Sequence, residues 1–121
     1  TASHDPKKFA MKSIEQLNRY VCAVKLNFHL ILPLSITDLT ETTELAHSRG
    51  LECIADIKLN DIGNTNHIAI KYLLEMGFDA VIVNPIMGKI ALTSAVKQTH
   101  EKNCGIICWS RGVLWREDFQ S

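Results

Sequence analysis

Four short apolar runs rich in strand formers, Val21–Phe28, Leu51–Lys58, Ala80–Asn84 and Gly105–Trp109, recur along the chain, each preceded by an amphipathic segment. Short runs of this kind suit buried strands, whereas apolar residues at i, i+3 and i+4 suit helices. The first amphipathic segment starts at Asp5-Pro6 and carries Phe9, Ile14, Leu17 and Tyr20 at mainly helical spacing. The second begins at Thr37-Asp38 and runs through Leu39 and Leu45 to a stop at Gly50. The third begins at Asn64, with Ile68, Ala69, Tyr72, Leu73 and Met76 on one stripe and Gly77 as its stop. The fourth follows Gly88 through Ile90, Leu92, Ala95 and Val96. An α-β-α-β-α-β-α-β order, with strands about 25–30 residues apart, predicts parallel strands joined by right-handed helical crossovers.

Such units build either an open doubly wound sheet or a closed barrel. Four strands are too few for a barrel, which needs roughly 250 residues. An open four-stranded sheet leaves parallel edges that need cover. The 121 residues open on a helix with no strand before it, and the last dozen, 110–121, do not complete another unit. The expected fold is therefore α/β: a partial (β/α) TIM barrel of about four parallel strands alternating with helices. Residues 1–121 form a single incomplete barrel domain, with 110–121 as an irregular tail and material missing at both ends. The start on Thr rather than Met fits a beginning that was processed or cut.

Composition narrows the function classes. With 46% hydrophobic and 21% charged residues the chain reads as a globular protein with a real core. Thirteen basic and thirteen acidic residues cancel, which argues against a nucleic-acid binder but leaves room for a local anion site. No run reaches membrane-spanning length and no leader precedes the fold, so no membrane partner and a cytoplasmic location are expected. Cys22, Cys53, Cys104 and Cys108 fall in or beside apolar runs and read as buried, reduced thiols. Neither their spacing nor that of His4, His29, His47, His67 and His100 spells a metal motif, so no metal is expected.

The charged residues that interrupt the second run carry the functional signal. Ile54-Ala55-Asp56-Ile57-Lys58-Leu59-Asn60-Asp61-Ile62-Gly63-Asn64-Thr65-Asn66 opens as a core strand and then places Asp-x-Lys-x-x-Asp where an apolar run should continue. Strand alternation puts Ile54, Asp56 and Lys58 on one face, and buried charges are costly unless paired. Active sites of parallel α/β proteins lie at the carboxyl ends of the strands. There the first strand ends in Lys25 and Asn27, the second in Asp56 and Lys58, and the third in Asn84. Neighbouring parallel strands bring Lys25 beside Asp56 and Lys58, with Asp61 in the following loop: an alternating array of cations and anions. A fixed carboxylate beside an ammonium suits a reaction in which negative charge leaves the substrate and a carbanion is protonated. The pattern equally fits a solvated strand end whose Asp and Lys merely face water.

Asp56-Ile57-Lys58-Leu59-Asn60-Asp61-Ile62-Gly63-Asn64-Thr65 resembles the D-x-K-x-x-D-I-[G/P]-x-T signature of the orotidine 5'-phosphate decarboxylase family. Val24-Lys25-Leu26-Asn27 resembles the family's preceding strand, and Phe78-Asp79-Ala80-Val81-Ile82-Val83-Asn84-Pro85 with Gly88 resembles the strand and loop that follow. The resemblance implies a lyase that converts orotidine 5'-phosphate to UMP in de novo pyrimidine biosynthesis, without cofactor or metal. Lys58 would protonate C6 of the pyrimidine, Asp56 would face the substrate carboxylate, and Lys25 would hydrogen-bond Asp56 and the ribose. Asp61, Ile62 and Thr65 would reach a neighbouring subunit's site, implying a homodimer with a shared active site. Asn27 and Ser110 complete the implied substrate-binding set.

There are departures from the family. Its first strand carries an aspartate for which Asp5, at a helix start, is no replacement, and Ser110 sits in Cys108-Trp109-Ser110-Arg111-Gly112 rather than a Met-Ser-x-Pro-Gly loop. Arg111 and Arg116 read as surface residues. Asp-x-Lys-x-x-Asp is shared with metal-dependent sugar-phosphate decarboxylases and aldolases of the same barrel group, which remain the alternative enzyme reading. Two non-enzymatic readings also stand: a truncated, non-catalytic barrel fragment, and a receiver-like signalling module with Asp56 as phosphoacceptor. The second lacks the acidic pair and terminal lysine that it needs.

Overall fold

Asp5 turns the chain into its first helix: its carboxylate accepts the Lys8 N–H at 3.1 Å, and Pro6 sits where a missing N–H costs nothing. The computed structural model describes residues 5–59 and 64–108, apart from the side chains of 58, 59, 64, 65 and 87. In order come α1 (Pro6–Leu17), β1 (Ala23–Asn27), α2 (Phe28–Ile31), α3 (Ile36–Ser48), β2 (Glu52–Leu59), α4 (Asn64–Glu75) and β3 (Ala80–Val83). A 3-10 turn at Pro85–Met87, α5 (Lys89–His100) and β4 (Gly105–Cys108) follow. The expected tail at 110–121 lies outside the described residues.

All four expected strands form, and their order decides between the two architectures. The sheet runs β1-β2-β3-β4 with every pair parallel. Right-handed crossovers that always step the same way place every connecting helix on the same face. The burial pattern agrees. Leu26, Cys53, Ala55, Val81 and Val83 pack into one core with Ile14, Leu39, Ala46, Ile70, Leu73 and Ala95 of the helices. The alternate residues, Lys25, Ile54, Asp56 and Ile82, stand outside that core on the opposite face. A doubly wound sheet would carry helices on both faces; one-sided winding is the geometry of a barrel wall.

Local details depart from the expectation in four places. Helix α3 starts at Ser35 rather than Thr37-Asp38, because Ser35 and Asp38 form a reciprocal capping box (Asp38 N–H to Ser35 Oγ at 3.0 Å, Ser35 N–H to Asp38 Oδ2 at 3.3 Å). The first apolar run ends early and turns helical as α2. The expected stripes hold only in part: Ile14, Leu73 and Met76 are buried as expected, but Asn66 and Ile70 of α4 and Ala10 of α1 are buried too, while Ile68, Tyr72, Phe9 and Leu17 are exposed. Of the cysteines only Cys53 is fully buried; Cys22 and Cys108 are exposed, since each sits at a strand end rather than in its covered middle. No helix among the described residues is long and apolar enough to cross a membrane.

The β1 side of the molecule is open. A cavity of about 270 Å³ lies between α1 and β1, lined by Phe9, Ser13, Leu17, Val21, Val24 and Leu30. Exposed ion pairs from Arg49 to Glu15 and from Lys7 to Glu41 and Asp38 tie α1 to α3, adding little each because water screens them.

Gly77, which closes α4, is held tightly. Its φ is +101°, and a Cβ there would lie 2.4 Å from Thr43 Oγ1, whose hydroxyl donates to the Met76 carbonyl at 2.6 Å. Gly50 has φ +77° but open space around it. Gly50→Ala should therefore cost only the left-handed backbone penalty, ~1 kcal/mol. Gly77→Ala adds a clash within the buried Thr43 contact and should cost about 2–4 kcal/mol. Urea unfolding of both variants checks this; equal losses would show that the Thr43 contact yields freely.

Candidate functional site

Lys25 and Asp56 meet because of strand register. In the β1–β2 ladder Lys25 lies opposite Ile54 and Asn27 opposite Asp56, so Lys25 reaches one step diagonally toward the carboxyl end. Its Nζ lies 2.9 Å from Asp56 Oδ2. Asp56 is 2% exposed and the Lys25 side chain 52% exposed, so a buried anion is faced by a half-solvated cation. Desolvating a carboxylate costs several kcal/mol unless a partner compensates, and Lys25 is such a partner. The ammonium beside Asp56 also makes this carboxylate a poor ligand for a second cation.

Beyond Asp56 the strand is irregular. Ala55 pairs with Val81 and Leu59 with Val83, so β2 advances four residues while β3 advances two. The surplus falls on Asp56, Ile57 and Lys58. An extra residue bends a strand and re-aims its side chains, and such bulges recur beside active sites. Ile57 packs against the core together with Ala55, so the two faces of β2 stay in step as far as Ile57.

The remaining expected site residues divide clearly. Asn27 sits at the carboxyl end of β1, exposed and opposite Asp56. Lys58 is on β2 and Thr65 in the first turn of α4, with both side chains outside the description. Asp61, Ile62 and Ser110 lie outside the described residues. β3 ends at Val83, one residue before the expected Asn84, whose side-chain oxygen accepts the Ile86 N–H at 3.0 Å and caps the 3-10 turn. Asn66, 5% exposed in the first turn of α4, is a buried polar residue that the sequence did not single out. An amide in a helical stretch carries no signal of burial.

A second polar cluster occupies the opposite, amino-terminal end of the strands. His47 Nε2 lies 2.7 Å from Asp79 Oδ2, and the same oxygen accepts the Cys53 N–H at 2.7 Å. Burial, with the charges of Asp79 and Glu52 adding to it, pushes the Cys53 thiol up to about 12. The sequence reading missed this cluster because its members come from α3, β2 and the turn before β3.

Residues 2–115 match the family model described as Orotidine 5'-phosphate decarboxylase / HUMPS family. The orotidine 5'-phosphate decarboxylase of Pyrococcus abyssi is 38% identical over 80 residues, covering 66% of this chain and 37% of that protein. The enzyme of the same name from Methanosarcina barkeri is 34% identical over 92 residues, covering 76% of this chain and 39% of that one. Among solved structures, orotidine 5'-monophosphate decarboxylase from Methanocaldococcus jannaschii superposes with a TM-score of 0.75 at 27% identity, over 84% of this chain and 48% of that chain. The chain thus spans less than half the length of these relatives.

Removing one partner of the Lys25–Asp56 pair leaves a buried carboxylate with less compensation, whereas replacing both with apolar residues removes the desolvation cost as well. Lys25→Met should destabilise by about 1–3 kcal/mol, less than for a fully buried pair because Lys25 is half-solvated. Lys25→Met/Asp56→Leu should be at least as stable as Lys25→Met alone. Chemical denaturation of the two variants decides; a double variant weaker than the single would show that Asp56 is held chiefly for stability.

Proposed function

Because the chain belongs to the orotidine 5'-phosphate decarboxylase / HUMPS family, we propose that it supplies the charge-bearing part of a lyase site converting orotidine 5'-phosphate to UMP in de novo pyrimidine biosynthesis. The observation that carries this reading is the buried Asp56 carboxylate paired to Lys25 at the carboxyl end of the strands, inside Asp-x-Lys-x-x-Asp. The substrate carboxylate sits against Asp56, which is fixed and ionised beside its lysine. Two facing anions raise the energy of the bound substrate and are relieved as carbon dioxide departs. The C–C bond breaks, its electron pair stays on C6, and Lys58 delivers a proton there, to be recharged from solvent. No cofactor is needed, since the work is positioning and preorganised charge.

Lys25 also hydrogen-bonds the ribose in this reading, and Asn27 and Ser110 contact the substrate. Asp61, Ile62 and Thr65 serve the site of a second subunit, so the working unit is a homodimer. The second enzyme reading, a sugar-phosphate decarboxylase or aldolase, shares Asp-x-Lys-x-x-Asp but needs a divalent metal. The ammonium of Lys25 against Asp56 favours the metal-free chemistry.

In a closed barrel containing this chain, Lys58→Ala should lower orotidylate turnover at least about a thousandfold with the fold retained. Appreciable remaining carbon dioxide release sinks the role of Lys58, and loss of activity to a chelator favours the metal-dependent reading. Mixing equal amounts of Lys58→Ala and Asp61→Ala subunits should restore about a quarter of wild-type turnover. Half of randomly paired dimers are mixed, and each mixed dimer keeps one intact site. Mixed dimers without activity would overturn the shared site.

A further inference from the structure

The amino-terminal cluster has the composition and geometry of a metal site. His47 Nε2, Cys53 Sγ and a carboxylate oxygen of Asp79 all lie within 4.8 Å of one another. We propose that His47, Cys53 and Asp79 bind a divalent transition cation, Zn²⁺ by the chemistry of the donors, at the end of the sheet opposite Lys25 and Asp56. Four-coordinate zinc with nitrogen or oxygen at about 2.0 Å and sulfur at about 2.3 Å separates its donors by roughly 3.3–3.6 Å. The present spread brackets that spacing, so side-chain shifts on the order of 1 Å close the site.

The backbone already fixes two of the three donors. Asp79 N–H donates to the Cys53 carbonyl at 2.8 Å while Cys53 N–H donates to Asp79 Oδ2 at 2.7 Å, and Gly105 N–H binds the Asp79 carbonyl at 2.9 Å. Asp79 is thus locked between β2 and β4, and its Oδ1 accepts no hydrogen bond among the described residues. His47, in the last turn of α3, is 41% exposed and gives the cation a way in; Cys53 forms the floor at 0% exposure. A nitrogen, a sulfur and an oxygen select zinc or cobalt over magnesium or calcium, which avoid thiolates.

Proton balance is simple. The Cys53 thiol releases its proton to solvent, and His47 carries its proton on Nδ1 so that the Nε2 lone pair faces the metal in place of Asp79. Without a cation the high pKa of Cys53 keeps it a thiol, which suits neither a nucleophile nor a redox sensor. A dication reverses that preference. Cys104, at the turn into β4, lies outside the triad: its thiol, pushed up by burial and by the Asp79 charge, donates to the Phe78 and Lys102 carbonyls. The rival reading is a plain ion-pair staple between His47 and Asp79, with Cys53 merely packed beneath.

Cobalt separates the two. Titrating the metal-free chain with Co²⁺ should give a thiolate-to-cobalt charge-transfer band that saturates at one equivalent and is abolished by Zn²⁺. Zn²⁺ should also raise the melting temperature in proportion to the logarithm of its concentration. Cys53→Ala and His47→Ala should each weaken binding at least about a hundredfold, whereas Cys22→Ser/Cys108→Ser should leave the band unchanged. His47→Ala is a surface change, so it remains informative should Cys53→Ala fold poorly. Absence of the charge-transfer band, or its survival in Cys53→Ala, overturns the proposal.

Discussion

Every connection in this sheet steps the same way, and that single constraint organises the rest. Right-handed crossovers laid over β1-β2-β3-β4 place the helical layer on one face, where Leu26, Cys53, Ala55, Val81 and Val83 are sealed into the core. The other face is left to its own side chains. A barrel closes such a face against itself, so its residues are buried without meeting a helix. Asp56 stands on that face, 2% exposed, toward the carboxyl ends of the strands. Low dielectric strengthens whatever charge is fixed there, provided the charge is paired, and Lys25 provides the pairing.

Strand β2 serves both ends of the wall in different ways. At its amino end it is pinned: Cys53 exchanges hydrogen bonds with Asp79, and His47 closes over the same carboxylate. At its carboxyl end the ladder to β3 slips by two residues across Asp56 to Lys58. In such barrels amino-end residues serve stability and carboxyl-end residues serve chemistry, and one polar cluster lies at each end of this sheet.

Much of this was legible because strands and caps are local. The four apolar runs became the four strands, and Asp5-Pro6 marked the first helix as a side-chain cap should. The pairing of Lys25 with Asp56 followed from adjacency of parallel strands plus a shared face. Errors arose where the outcome depended on partners far away in sequence. Phe9, Leu17, Ile68 and Tyr72 fit helical stripes but are exposed, because periodicity cannot say which part of an apolar surface finds cover. The ladder irregularity requires β3 to be in place before it exists. His47 and Asp79 are 32 residues apart and Cys53 and Asp79 are 26 apart, so no spacing rule joins them. Ser35 and Asp38 stand three residues apart, as a capping box requires, yet Thr37-Asp38 offers a competing start, and only the reciprocal bonds decide between them.

The charge pair has one member on the margin. Among the described strands β1 pairs only with β2, so Lys25 projects from an edge, beside a cavity of about 270 Å³ between α1 and β1. The exposed Phe9 and Leu17 line that cavity and give the edge an apolar rim. Pairing another strand there removes water from around the ammonium, which is 52% exposed as it stands. The attraction between Lys25 and Asp56 then rises as the local dielectric falls, while Lys25 pays its own desolvation. Whether the array is a poised electrostatic device or a half-wet ion pair is thus settled at the β1 edge. Closure of the wall beside β1 thus sets the strength of the Lys25–Asp56 pair on which the proposed chemistry rests.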